Sequence, residues 1–167
     1  MTTIDLCSVL LRLALGAMIT LHGFNKMKNS ASLNGTGQWF ASIGMRHPKK
    51  QAIAASLTET SSGVFILLGL ATPIACAALI ATMAVAIIVS HRKSGFFIFN
   101  EGQGWEYCAF IIVTSLALAT IGSGKYSLDH IFKIFNSGMR PVAICAVLAI
   151  TGSVLHIALF YRPKSNK

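Results

Sequence analysis

Acidic side chains are scarce: 167 residues hold five Asp and Glu against fourteen Lys and Arg, a formal net charge of +9. Charged residues of all kinds make up 11% of the chain, where a soluble domain carries about 25%. So little charge cannot cover a water-facing surface, which argues against a soluble enzyme. The 54% apolar content excludes a disordered chain. The four cysteines, Cys7, Cys76, Cys108 and Cys145, stand far apart without a C-x-x-C pair. Nothing resembles a haem, iron–sulfur or zinc signature, and phosphate loops and nucleophile elbows are missing too. The basic excess does not point to nucleic acid. Its cations cluster between long apolar runs, where Lys and Arg first report membrane topology.

What the chain does have is apolar length. A hydrocarbon core about 30 Å thick needs roughly 20 apolar residues per helix. Five segments meet or approach that, at about 6–24, 51–70, 73–91, 107–122 and 141–161. They predict an all-α transmembrane helical bundle forming one membrane domain over residues 1–167. The second span is the least apolar, because Ser56, Thr58, Glu59, Thr60, Ser61 and Ser62 crowd its first half. That half must face protein. Spans two and three are joined by Gly69-Leu70-Ala71-Thr72-Pro73, with Pro placed to start a helix, and so are antiparallel neighbours. The first span lacks a basic stretch before its apolar run and carries Arg12 and His22, so it reads as a retained helix and not a signal peptide.

Ten basic residues fall on one side, in the loops after spans one and three and in the tail, against three on the other. The positive-inside rule then puts the N-terminus outside and the C-terminus in the cytoplasm of a multi-pass protein of the cell membrane. Two further segments lie on the predicted cytoplasmic side. Gly35 to Gly44, with Trp39, Phe40 and Ile43 at helical spacing, reads as a short interfacial helix. The aromatic stretch Gly95 to Asn100 reads as dipping among headgroups.

Charges within the spans need a reason, since an ionisable group at mid-membrane costs about 2.5–3.5 kcal/mol. Arg12 and Glu59 are the clear cases. Counted from the span ends, their depths differ by roughly 5 Å, which predicts an Arg12–Glu59 pair between antiparallel helices. Arg12, Gly16, Ile19, Gly23 and Lys26 share one stripe of span one; Glu59, Ser62, Gly63 and Ile66 line one face of span two. His22, Lys26 and His91 fall at one level in the predicted cytoplasmic half, near Trp105 and Glu106. Arg12, His22, Lys26, Glu59 and His91 are therefore the candidate ligand-binding residues, around a pocket suited to a quinone or another amphipathic molecule. The plainer alternative makes His22, Lys26 and His91 headgroup anchors. His130 and His156 look incidental, and His47 belongs to a basic loop. The cysteines read as small buried residues, with a disulfide among Cys7, Cys76 and Cys145 as the alternative.

Several runs resemble the DoxX family. Leu10-Leu11-Arg12-Leu13-Ala14-Leu15-Gly16 followed by His22-Gly23-Phe24-Asn25-Lys26 is similar to its first helix, and Gly35 to Gly44 to the segment before its second. Glu59 with Gly63 and the run Leu67 to Pro73 resembles its second helix and turn, and Gly122 to Asp129 its closing Gly-rich, Ser-Leu-Asp segment. The likeness covers about residues 6–132 and places Arg12, His22, Lys26, Glu59 and Asp129 on motif positions. It implies a four-helix membrane bundle, here extended by a fifth, C-terminal transmembrane helix. It also implies a role near redox or sulfur metabolism: members include a subunit of thiosulfate:quinone oxidoreductase, and mycobacterial relatives are linked with superoxide dismutase and a thiosulfate sulfurtransferase. The expectation is a membrane component handling quinone or thiols, with the lipid bilayer and other membrane or redox subunits as partners and no nucleic acid. A non-catalytic accessory subunit packed against a larger membrane complex is the alternative. A transporter would need a continuous polar path that these spans do not offer.

Overall fold

The computed structural model describes residues 1–134 and 138–163. Helix α1 (Thr3–Met27) begins with a capping box. The Thr2 hydroxyl accepts from the Asp5 amide at 3.1 Å, and the Asp5 carboxylate accepts from the Thr2 amide at 2.9 Å, which satisfies two amides the helix start leaves unpaired. Helix α2 (Ser30–Ser42) is capped by Asn29. Helix α3 (Pro48–Leu68) starts three residues before the expected span. His47 there takes a left-handed φ of 51° that turns the chain, and Pro48 fits the first helical position. Helix α4 (Thr72–Val89) follows a tight turn in which Gly69 and Ala71 are left-handed, at φ 62° and 47°. A single 3₁₀ turn, His91–Ser94, leads through the aromatic loop to α5 (Glu106–Ile121). The short α6 (Leu128–Phe132) precedes α7 (Met139–Phe160).

Among the described residues four helices, α1, α3, α4 and α7, are long and apolar enough to cross a membrane. The fourth expected span is shorter: α5 has 16 residues, about 24 Å of helix, under the roughly 30 Å of hydrocarbon. It packs against α1, α4 and α7 and leaves Phe110 and Val113 exposed.

Helices α1, α3, α4 and α5 close a ring, each packed on the next, and α7 lies outside it against α4 and α5. The α1–α3 pair is the tightest. A Cβ on Gly16 would sit 2.8 Å from the Gly63 carbonyl oxygen, and one on Gly23 would collide with Thr60, so only glycine lets these backbones approach. Helix α4 is central and buries Ala75, Cys76, Leu79, Ile80 and Met83. By contrast α7 buries only Pro141, Cys145, Ala149 and Ser153 and turns Val147, Ile150, Val154 and Leu155 outward, a face suited to lipid. All four cysteines are free thiols; Cys76, Cys108 and Cys145 are buried and Cys7 is exposed.

Segments that the charge count put together do share an end. Met45 bridges Tyr161, and the Arg46 amide donates to the Phe160 carbonyl at 2.8 Å, which joins the α2–α3 connection to the end of α7. At the other end the Ser8 hydroxyl donates to the Gly122 carbonyl at 2.8 Å, and the Lys125 amide to the Asp5 carboxylate at 2.9 Å.

Candidate functional site

The buried charges form two clusters, one at each end of the bundle. At the end where α1 begins, Arg12 is 6% exposed and donates only to backbone carbonyls. Nε reaches Ile66 at 3.0 Å and Nη2 reaches Leu67 at 2.6 Å; Nη1 reaches Ser123 at 3.0 Å and Tyr126 at 2.7 Å. The last carbonyls of a helix have no partner within it and carry its negative dipole end, so a cation belongs there. Arg12 thus fastens the end of α3 to the segment after α5.

Asp129, fully buried, completes this cluster from above. Its carboxylate accepts from the amides of Ala71 at 2.6 Å and Thr72 at 2.9 Å, and its own amide donates to the Gly69 carbonyl at 2.8 Å. It caps α4 from a distant part of the sequence, where Ala71 has no side chain able to do so. Asp129→Asn keeps one acceptor and turns an amide donor toward the other N–H. The expected loss is about 1–2 kcal/mol of unfolding free energy, checked by denaturant unfolding in detergent, with the α4–α7 core intact at low denaturant.

The expected Arg12–Glu59 pair does not form. Glu59 pairs with Lys26, Nζ to Oε1 at 2.5 Å, while Arg12 is held seven residues further along α3, about 10 Å. Helical side chains lean toward their own N-terminus, so residues of antiparallel helices at one depth lean apart. Arg12 leans toward the end of α3. Lys26 and Glu59, offset by about a turn, lean toward one another. The Gly16–Gly63 and Gly23–Thr60 contacts fix the register that makes this so.

The Lys26–Glu59 pair borders a cavity of about 470 Å³. His22 and Ile19 line it from α1, Trp39 and Phe40 from α2, and Gln51, Ala54, Ala55 and Thr58 from α3. Helix α4 gives a wall of small residues, Ala78, Ala81, Thr82, Val85, Ala86 and Val89, recurring at one helical face. His91, Gln103, Tyr107, Cys108 and, from α7, Gly152 and His156 also line it, with Met45, Met83, Ile98 and Gly104. Four of the five residues singled out from the sequence meet here: His22, Lys26, Glu59 and His91. Arg12 does not.

Polar groups in the wall are partly committed. The Tyr107 hydroxyl and His22 Nε2 are 3.2 Å apart, and the His91 Nδ1–H donates to the Gln103 carbonyl at 2.7 Å. Glu59 is 3% exposed, yet among the described residues its Oε2 has no hydrogen-bond partner. A buried carboxylate oxygen left so is costly and marks a place where a donor is wanted.

Tyr107, Cys108, Gln51 and His156 were not among the sequence candidates. The α4 stripe of small residues was the available signal, because such a stripe leaves room unless a partner helix fills it. His156 looked incidental since α7 had no assigned neighbour until its packing on α4 was known. Trp105 and Glu106, expected near the site, stand between the lining residues Gly104 and Tyr107 and order the aromatic loop. Trp105 packs edge-on against Phe96 at 4.8 Å, and the Glu106 carboxylate accepts from the Ile98 amide at 3.1 Å.

No curated protein and no solved structure matches the chain. The DoxX family profile matches residues 7–92, just over half of it. The likeness at Gly122 to Asp129 lies beyond the matched stretch. That stretch runs from within α1 into the 3₁₀ turn after α4 and holds Arg12, His22, Lys26, Glu59 and His91 together with the glycines that set their register. The chain therefore belongs to the DoxX family of multi-pass membrane proteins.

Proposed function

We propose that this protein is a membrane component of quinone- or thiol-linked redox metabolism and that the cavity at the Lys26 end binds the head group of a quinone-type ligand. The observation that carries this reading is a cavity of about 470 Å³ with mostly apolar walls and one ion pair, between the half-buried Lys26 and the buried Glu59. Small-molecule sites have this volume and this sparing use of polar groups. A quinone fits the donor set: Lys26 has N–H groups beyond the one given to Glu59 and can hold a ring oxygen, while Trp39, Phe40 and the small residues of α4 accept an apolar ring. His22, Lys26, Glu59 and His91 are the assigned binding residues, and Arg12 is assigned to the fold. Cys108, in the same wall, would bring a thiol near the ligand. The excess of Lys and Arg in the loops at this end supports a cytoplasmic-facing cavity in a cell membrane protein.

Native protein purified in mild detergent is expected to retain a quinone that solvent extraction and chromatography identify, and whose absorbance changes when thiosulfate or sulfide is added. Ala86→Trp, which projects an indole into the cavity, should lower that quinone content severalfold at unchanged yield. A preparation that carries no quinone but a stable stoichiometric protein partner would replace this reading with that of an accessory subunit.

A further inference from the structure

The cavity does not end at the ion pair. From Val89 to Ala78 it follows α4 for about 16 Å, toward the middle of the membrane. Ala54, Ala55 and Thr58 of α3 border this stretch on one side, Gly152 and His156 of α7 on the other. Among the described residues α7 packs on α4 and α5 and not along α3, so the two bordering helices leave a gap. A strap closes the gap at the Lys26 end. There Met45 bridges Tyr161, and the Arg46 amide donates to the Phe160 carbonyl and the Arg162 amide to the Gly44 carbonyl, each at 2.8 Å. Deeper along α4 the gap is open: Ala54 and Gly152 are exposed, and Ala78, Ala81 and Thr82 are half-buried. Leu57, one turn from Ala54, and Leu148 and Leu155, one turn to either side of Gly152, are exposed and apolar. Gly152 itself has no packing reason to be glycine. A Cβ there would meet Ala81 at an ordinary 3.6 Å, whereas one on Gly16 or Gly23 would clash. Glycine weakens a helix interior relative to alanine; what it leaves here is room.

We propose that the gap between α3 and α7 is a sideways entrance from the bilayer, and that it holds the hydrocarbon tail of the ligand whose head group sits near Lys26. This rests on the quinone-binding reading above and names the class of ligand: a membrane-resident amphiphile with a long alkyl or isoprenoid tail, not a water-soluble thiol. Continuity selects the tail as occupant, because the gap and the head-group cavity are one space that opens at the depth of the lipid chains. The strap bars the direct path between α3 and α7 from the loops, so a ligand already dissolved in the membrane has the shorter way in. Lipid chains are as apolar as the walls of the gap, so the tail gains little affinity there. Its need is for space: with the gap filled, a tailed head group cannot seat.

The experiment uses the full-length chain in phosphatidylcholine nanodiscs free of native quinone. Decylubiquinone carrying a diazirine at the tip of its decyl tail is photolysed, and the adducts are mapped by peptide mass spectrometry. They are expected around Ala78 and Ala81 of α4 and Gly152 of α7, and should vanish when excess decylubiquinone is added. In a second measurement decylubiquinone and its homologue with methyl in place of decyl are titrated by tryptophan quenching, Trp39 being in the cavity wall. Each Kd is expressed per lipid, so that partition into the membrane cancels. Gly152→Trp should lower the decyl-to-methyl affinity ratio about tenfold or more. Val154→Trp, on the outward face of α7, should leave the ratio as it is. Competable adducts that avoid the gap, or a ratio that Gly152→Trp does not move, would overturn the sideways entrance and leave quinone binding standing. Gap labelling that disappears when a nanodisc holds two chains would seat a second copy there and overturn it likewise. If neither quinone binds saturably, both readings fall.

Discussion

Replacing Arg12 by Met is expected to lower the unfolding free energy by about 4 kcal/mol or more. Hydrogen bonds from a charged donor contribute about 1.5–3 kcal/mol each, and Arg12 makes four, coupled through one rigid guanidinium. Methionine fills a similar volume, so the loss reads as polar. Without the guanidinium, the carbonyls of Ile66, Leu67, Ser123 and Tyr126 lose the partner they share. Arg12→Lys should recover only part of the loss, since one ammonium cannot reach carbonyls on two separate segments. Denaturant unfolding in mixed micelles followed by helicity checks this. A Met variant within about 1 kcal/mol of the native protein would mean that water or other donors replace the fork. The binding cavity lies at the other end, so quinone retention by surviving folded protein should change little.

The sequence revealed the bundle because its signals were lengths and periods. Apolar runs located all five helices that became α1, α3, α4, α5 and α7, and the stripes through Arg12, Gly16, Ile19 and Gly23 and through Glu59, Ser62, Gly63 and Ile66 are the faces that α1 and α3 bury against each other. What it did not reveal was who answers Arg12. The acceptors are backbone carbonyls, which every residue carries and no sequence pattern marks. Opposite charges at similar depth suggested a pair, yet depth counted from span ends is good only to a turn or so. The glycine contacts shift α1 against α3 by enough to exchange Arg12 for Lys26 as the partner of Glu59.

The same reason explains why the cavity was half legible. His22, Lys26, Glu59 and His91 announce themselves as polar groups at one level of a membrane bundle. Tyr107 and Cys108 look like ordinary members of an apolar helix, and Asp129 looked like a motif position without a task. Its task became visible only when the fold brought it to the start of α4, 57 residues away from Thr72 in the chain. The extra helix has a comparable effect. By packing on α4, α7 adds Gly152 and His156 to the cavity wall, so a chain of four helices would have a more open site.

Lys26→Met should cost about 2–3 kcal/mol of stability, the second largest effect, and most of it should return on adding Glu59→Gln. Removing the cation leaves both oxygens of a carboxylate that is 3% exposed without a partner among the described residues. Stranding one member of a buried pair costs about 3–5 kcal/mol, discounted here because the Lys26 side chain is 29% exposed and part of its attraction is screened. Glu59→Gln alone should cost less, since the freed Lys26 can reach toward the headgroups. In a double-mutant cycle the Lys26–Glu59 coupling should reach about 1–2 kcal/mol, whereas Arg12 and Glu59, which share no partner, should add within about 0.5 kcal/mol. The two cycles together locate the ion pair without a structure. Strong coupling of Glu59 to Arg12 and none to Lys26 would turn the carboxylate toward the other end of α3, and the cavity would lose its ion pair.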